Sequence, residues 1–220
     1  REPEPRCWAL VQAAMIFWSE GDAGGADAGF EEALKACSDY PPALVGRGRV
    51  ALGGGDFPRA VDYLGRAYAQ SPLVETAWLL GDAREAAGDL PSAEAIRAEL
   101  VKHGRQVDGR TLSLFFATKG RDTDEAVTLA QAEKKVRDDL YTEDALAWAL
   151  YRKGDITGAR AASDKAMALG TKDARLLYHA GAIRIAGGEK AAGEKLLREA
   201  LKLNPAFDRS GAAEAAKLAP

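Results

Sequence analysis

A Gly-Asp dipeptide, or a near copy of it, returns at almost constant spacing along the chain, and that return limits the folds open to it. Gly21-Asp22 is followed by Gly55-Asp56, Gly88-Asp89, Arg121-Asp122 with Gly120 before it, Gly154-Asp155 and Gly188-Glu189. Successive members lie 34, 33, 33, 33 and 34 residues apart. Five residues into each unit comes a small side chain: Ala26, Ala60, Ala93, Ala126, Ala159 and Gly193. A period of about 34 residues suits one pair of helices per unit, stacked against the next pair.

The phrase from Gly55 to Pro72 shows why the unit is helical. Gly55 can end a helix in a left-handed conformation, and Asp56 can accept the free N–H groups that open the next one. Phe57, Ala60, Val61, Leu64, Ala67 and Tyr68 recur at helical spacing and make one apolar face, which Pro72 terminates. No alternation of period two marks a strand. The segment Asp208 to Leu218, with Ala212, Ala213, Ala216 and Leu218, predicts a last helix covering the open face of the final unit.

The pattern resembles the tetratricopeptide repeat (TPR) family. The unit from Pro41 supplies that family's small and apolar residues as Leu44, Gly48, Ala51, Ala60, Leu64, Ala67 and Pro72. The unit from Ala174 supplies Leu177, Ala180, Gly181, Leu197, Ala200 and Pro205, and the unit from Cys7 supplies Leu10, Ala13, Ala14, Phe17, Ala26, Phe30 and Ala33. Arg97 and Ser163 fall where an apolar residue belongs. In the fourth unit Ala130, Glu133 and Lys134 hold usual packing positions. The resemblance implies an all-α, right-handed superhelical solenoid of antiparallel helix pairs with a C-terminal capping helix. Six pairs are expected at 7–40, 41–73, 74–106, 107–139, 140–173 and 174–207, the fourth degenerate. A linker over 1–6 precedes them, and 208–220 forms the capping helix and tail. The stretch from Leu140 to Arg152, with Tyr178-His179-Ala180-Gly181, also resembles a largely uncharacterised bacterial TPR subfamily.

The composition narrows the partners. A net charge of −3 with 47% hydrophobic and 29% charged residues describes an ordinary folded chain, with no overall field to recruit nucleic acid. No apolar run reaches the ~20 residues that span a bilayer; the longest, Trp8 to Trp18, is short and contains Gln12. The chain begins at Arg1 rather than Met, which points to a cleaved targeting segment or to a piece of a longer protein. The compartment stays open between bacterial cytoplasm and periplasm. Cys7 and Cys37 could pair in an oxidising compartment, but two free structural thiols are the preferred expectation.

Catalytic and cofactor signals are missing. His103 and His179 stand far apart, no His or Cys spacing suits a metal, and no serine sits in a nucleophile elbow. Gly46-Arg47-Gly48-Arg49-Val50-Ala51 matches a dinucleotide fingerprint formally, but it lies inside a predicted helix instead of between a strand and a helix start. No enzyme activity, cofactor or metal is expected.

In the TPR family the first helices of the pairs line a concave groove. The corresponding positions give Trp8, Met15, Trp18, Arg49, Trp78, Asp82, Phe115, Asp144, Trp148, Tyr151, Arg152, Arg175 and Tyr178 as groove candidates, among them all four tryptophans. Trp148, Tyr151 and Arg152 share one helix face with Asp144 a turn earlier, so Arg152 could hold a carboxylate while the aromatic pair takes an apolar side chain. The Lys/Asn clamp by which some TPR domains grip a C-terminal carboxylate is missing, since Asn204 is the single asparagine. The expected function is a non-enzymatic scaffold binding a protein or extended peptide, with self-association or membership of a longer solenoid as the alternative.

Overall fold

The computed structural model describes residues 4–220, and among them there are thirteen helices and no strand. The chain divides into two compact units, Arg1–Leu100 and Val101–Pro220, with the division falling inside one helix. The first unit holds α1 (Glu4–Ser19), α2 (Ala23–Ala36), α3 (Pro41–Gly53), α4 (Phe57–Gln70), α5 (Val74–Ala86) and most of α6 (Leu90–Val107). The second holds the rest of α6, then α7 (Gly109–Lys119), α8 (Thr123–Lys134), α9 (Leu140–Lys153), α10 (Ile156–Ala166), α11 (Ala174–Ala186), α12 (Lys190–Leu203) and α13 (Arg209–Leu218).

The recurring Gly-Asp phrase is the turn inside each pair. Gly21, Gly55, Gly88, Gly120, Gly154 and Gly188 all have positive φ, where a Cβ would be strained. The Asp22, Asp56 and Asp155 side chains then accept from the backbone N–H groups of Gly25, Arg59 and Gly158. Where the phrase departs from Gly-Asp the device weakens. Asp122 itself takes φ 44° and, like Glu189, caps its helix with no side-chain hydrogen bond.

Small residues set how closely the paired helices approach. A Cβ on Gly48 would lie 2.5 Å from Leu64 Cγ, and one on Gly181 would lie 2.7 Å from Leu197 Cδ2. Gly46 makes the same kind of contact with the preceding pair, since its Cβ would lie 2.3 Å from the Phe30 ring. The two glycines of the formal nucleotide motif are therefore helix-packing residues inside α3.

The irregular units have local solutions. Arg97 stands where Leu64 and Leu197 stand in their pairs, and its aliphatic stem passes Gly81 less closely, since a Cβ there would lie 3.3 Å from Arg97 Cγ. Its guanidinium, almost fully buried, donates to Asp82 (2.9 Å), Glu94 (3.0 Å) and Glu85. Burial works against the charged form, but these three carboxylates outweigh it and hold the Arg97 pKa above its ordinary value. In the fourth pair the bulk changes sides: Ala130 is small where Leu64 is large, and Leu114 is large where Gly48 is small. Lys134, also out of pattern there, donates to the buried Glu143 on α9, and that bond raises its pKa. Ser163 is buried in the α9–α10 layer beside the cluster of Ala147, Ala159, Ala162 and Ile183.

Two expectations change at the N-terminal end. The expected linker over 1–6 is partly helix, because α1 begins at Glu4; Pro5 is tolerated in a first turn, where its missing N–H has no helical partner anyway. Residues 1–3 lie outside the described residues. The cysteines are joined: Cys7 and Cys37 form a disulfide with their Cα atoms 6.2 Å apart, and no free cysteine remains. The antiparallel return of α2 along α1 brings these positions together although 30 residues separate them. At the other end α13 lies against α11 and α12, with Asp208 accepting from Gly211 N–H and Gly211 closing on Tyr178.

Candidate partner-binding surface

The thirteen groove candidates separate by burial. Trp18, Trp78, Phe115, Asp144, Trp148 and Tyr178 are buried. Met15, Arg49, Asp82, Tyr151, Arg152 and Arg175 are half-buried, and Trp8 is exposed. The buried six cannot meet a partner directly. They lie within the helix layers, five as large rings and Asp144 as the partner of His179, so they support a surface and do not form it.

In the first unit the polar candidates are engaged internally. Trp78 Nε1 donates to Asp82 at 2.9 Å, and Asp82 also accepts from Arg97. Arg49 donates to Glu75 at 3.0 Å. These bonds tie α3 to α5 and α5 to α6.

The second unit builds a different arrangement around Trp148, which is 1% exposed. Its ring stacks on His179 of α11 at 4.0 Å and 14°, and lies 5.0 Å from Tyr151 and 5.2 Å from Tyr178. Its Nε1 donates to Thr118 Oγ1 on α7 at 3.1 Å. His179 Nδ1 is 2.9 and 3.0 Å from the two carboxylate oxygens of Asp144, both residues being buried. A buried carboxylate needs such a partner, because its desolvation would otherwise be uncompensated. One tryptophan thus joins α7, α9 and α11.

Tyr151 and Arg152 sit at the margin of this core, where solvent reaches them. The Arg152 guanidinium carbon lies 5.6 Å from the Trp148 ring centre, a cation–π distance. It also stands 3.9 Å from Glu214 Oε2 on α13, and the same carboxylate accepts from Tyr178 Oη at 3.0 Å. Burial first, then Glu214, pushes the Tyr178 hydroxyl pKa far up, so that group stays a donor. Burial raises Tyr151 in the same direction. The surface therefore offers a planar cation and an aromatic edge on a rigid floor, with a carboxylate already lodged beside them.

The sequence places Trp148, Tyr151 and Arg152 on one face of α9 with Asp144 a turn earlier, and sets Tyr178 separately on α11; the structure brings Tyr178 within 5.2 Å of the Trp148 ring. Sequence reading missed His179, Thr118 and Glu214. The available signal for His179 was its place next to Tyr178, one pair beyond Asp144. For Glu214 there was none, because it depends on how α13 docks. Among the described residues no cluster of His, Cys, Asp or Glu could hold a metal ion, and no helix is long and apolar enough to cross a membrane.

Comparison with known proteins gives a consistent family signal. No family model matches the chain. A TPR repeat-containing protein of Pseudomonas aeruginosa is 35% identical over 93 residues, covering 40% of this chain and 89% of that protein. A tetratricopeptide repeat protein structure from Parabacteroides merdae superposes with a TM-score of 0.59 at 16% identity, over 97% of this chain and 84% of the other. The Cut9–Hcn1 hetero-tetramer of the APC/C matches with a TM-score of 0.55 at 15% identity, over 97% of this chain and 42% of that one. These structural likenesses are likenesses of fold.

Proposed function

The chain belongs to the tetratricopeptide repeat family, and from that membership we propose that it is a non-enzymatic scaffold whose second unit binds a segment of another protein. The contact is the α9 surface of Tyr151 and Arg152, with Trp148 as its floor. The bound segment is extended and carries a carboxylate for Arg152 beside an apolar side chain for Tyr151.

One observation carries this reading. Glu214 already places a carboxylate against Arg152 and Tyr178, so the site accepts that group in that orientation. Arg152 makes only a loose ion pair there at 3.9 Å, whereas Arg49 and Arg97 make close ones. A guanidinium held over an aromatic face is well suited to planar carboxylate recognition. The Cut9–Hcn1 hetero-tetramer shows a similar fold within an assembly of two different proteins.

The test is a quantitative pull-down from native cell extract with three chains of matched helicity: native, Arg152→Glu and Leu169→Glu. Leu169 is strongly exposed and lies in the connection between α10 and α11. A partner retained by the native and Leu169→Glu chains and lost by Arg152→Glu supports the reading. Equal capture by all three removes it.

A further inference from the structure

The two cysteines of the chain fall on facing positions of one helix pair. Cys7 opens the buried seam of α1, and Cys37 is the C-cap of α2, where the backbone leaves the helix in an extended conformation. The same two repeat positions hold Pro41 and Ser71 in the second pair, and Ala174 and Asn204 in the sixth, each time 30 residues apart. Residues without thiols therefore serve at both positions, and packing of a pair does not call for cysteine at either. As free thiols the two would have no metal to bind: among the described residues no group of His, Cys, Asp or Glu could hold one. What cysteine adds at these positions is the bond itself.

The two sulfurs sit in different surroundings. Cys7 is fully buried, whereas Cys37 is half-buried and is followed by the exposed Ser38 and Asp39. In the folded chain an external reagent reaches the bond from the Cys37 side. Attack there expels a Cys7 thiolate into a site sealed from water, and a buried charge without a partner is strongly disfavoured. The bond is therefore hard to reduce once α1 and α2 have packed.

We propose that the chain is oxidised and works outside the reducing cytoplasm, that Cys37 is the thiol at which an external disulfide enters, and that the protein it binds is an exported one. Disulfides form and persist in oxidising compartments, whereas cytosolic thiol pools keep such pairs reduced. A bond closed into the seam of a helix pair is a permanent part of the fold, so the chain belongs where that bond is made. The exported partner presupposes the scaffold function proposed above; the oxidation and its entry point do not.

The chemistry is thiol–disulfide exchange. The Cys37 thiolate attacks one sulfur of the external disulfide, whose S–S bond breaks and releases one thiolate. The Cys7 thiolate then attacks Cys37 Sγ and expels the second. Two protein thiols are thereby oxidised to one disulfide, the external disulfide is reduced to two thiols, and the two protons end on them. Two cysteines in the sequence allow a single intramolecular pairing, so a disulfide donor suffices and no reshuffling follows.

Thiol tagging in cells of the native organism is the test. Cells producing the full chain are quenched in acid and denatured, and free thiols are tagged with a maleimide polymer with and without prior reduction. The expected chain carries no tag without reduction, one on each cysteine after it, and lies in the extracytoplasmic fraction. A chain tagged on both cysteines without reduction, or an oxidised chain confined to the cytoplasm, overturns the proposal. The entry point is read on purified, reduced chains of native helicity. Cys7→Ser forms a mixed disulfide with oxidised glutathione at Cys37 at least about tenfold faster than Cys37→Ser does at Cys7. Equal rates, or a faster reaction at Cys7, overturn that assignment, and tagging in cells needs no variant. Tagging also keeps this inference apart from the α9 surface. A chain found reduced that still loses its partner on Arg152→Glu removes the compartment alone. An oxidised chain whose capture is unchanged by Arg152→Glu removes the α9 surface alone.

Discussion

Trp148 is a structural residue whose neighbours do the recognition, and the two roles separate by substitution. Trp148→Ala removes a ring packed on His179, Tyr151, Tyr178, Thr118 and Arg152 and costs about 3–5 kcal/mol, visible as a lower denaturant midpoint of the second unit. Arg152→Glu leaves that core intact and changes stability by less than about 1 kcal/mol. A Trp148→Ala chain as stable as the native one would show that the ring is not packed as described. The neighbourhood was legible in the sequence because repeat register places Trp148, Tyr151, Arg152 and Tyr178 on successive first helices. Which of them face solvent was not legible. A rotation of one residue about the helix axis exchanges core and surface, and the deciding contacts, His179 on Trp148 and Thr118 below it, come from other helices.

Elements here are held by close approach and by one covalent link. Gly46→Ala introduces a Cβ that meets the Phe30 ring at 2.3 Å. It destabilises the α2–α3 junction by about 1–3 kcal/mol, read from equilibrium unfolding. Reduction of Cys7–Cys37 frees a 30-residue loop and lowers the stability of the first unit by roughly 3–4 kcal/mol in the chain-entropy account. Unfolding with and without reductant measures this, and the Cys7→Ser/Cys37→Ser double variant reproduces the reduced value. The turn phrase was legible at the glycines, where φ > 0 follows from residue type, and at Asp22, Asp56 and Asp155, whose side chains cap the next helix, but not at Asp122, which makes no such bond. The disulfide was not, because sequence separation says nothing of where α2 returns along α1. On α13, Glu214→Gln keeps an acceptor for Tyr178 but withdraws the charge beside Arg152. An acidic partner then binds more tightly by up to about fivefold, the worth of one surface ion pair.

At the scale of the whole molecule, a regular period of paired helices carries irregular content. The spacing of 33 and 34 residues alone predicted helix pairs through the weakest stretch, where Lys134 and Glu143 replace an apolar contact by an ion pair. It could not predict that the first unit ties its polar candidates into internal pairs while the second leaves Tyr151 and Arg152 at the surface. The function proposed for the chain rests on that difference. It is tested most directly by photo-cross-linking from a benzoylphenylalanine placed at Tyr151, with the same probe at Leu169 as the comparison, in native extract. The expected result is one dominant cross-linked protein from position 151, competed away by an acidic peptide derived from it, and none from position 169. Cross-linking from 169 alone, or from neither position while the chain still captures a partner, would contradict the assignment of binding to the α9 surface.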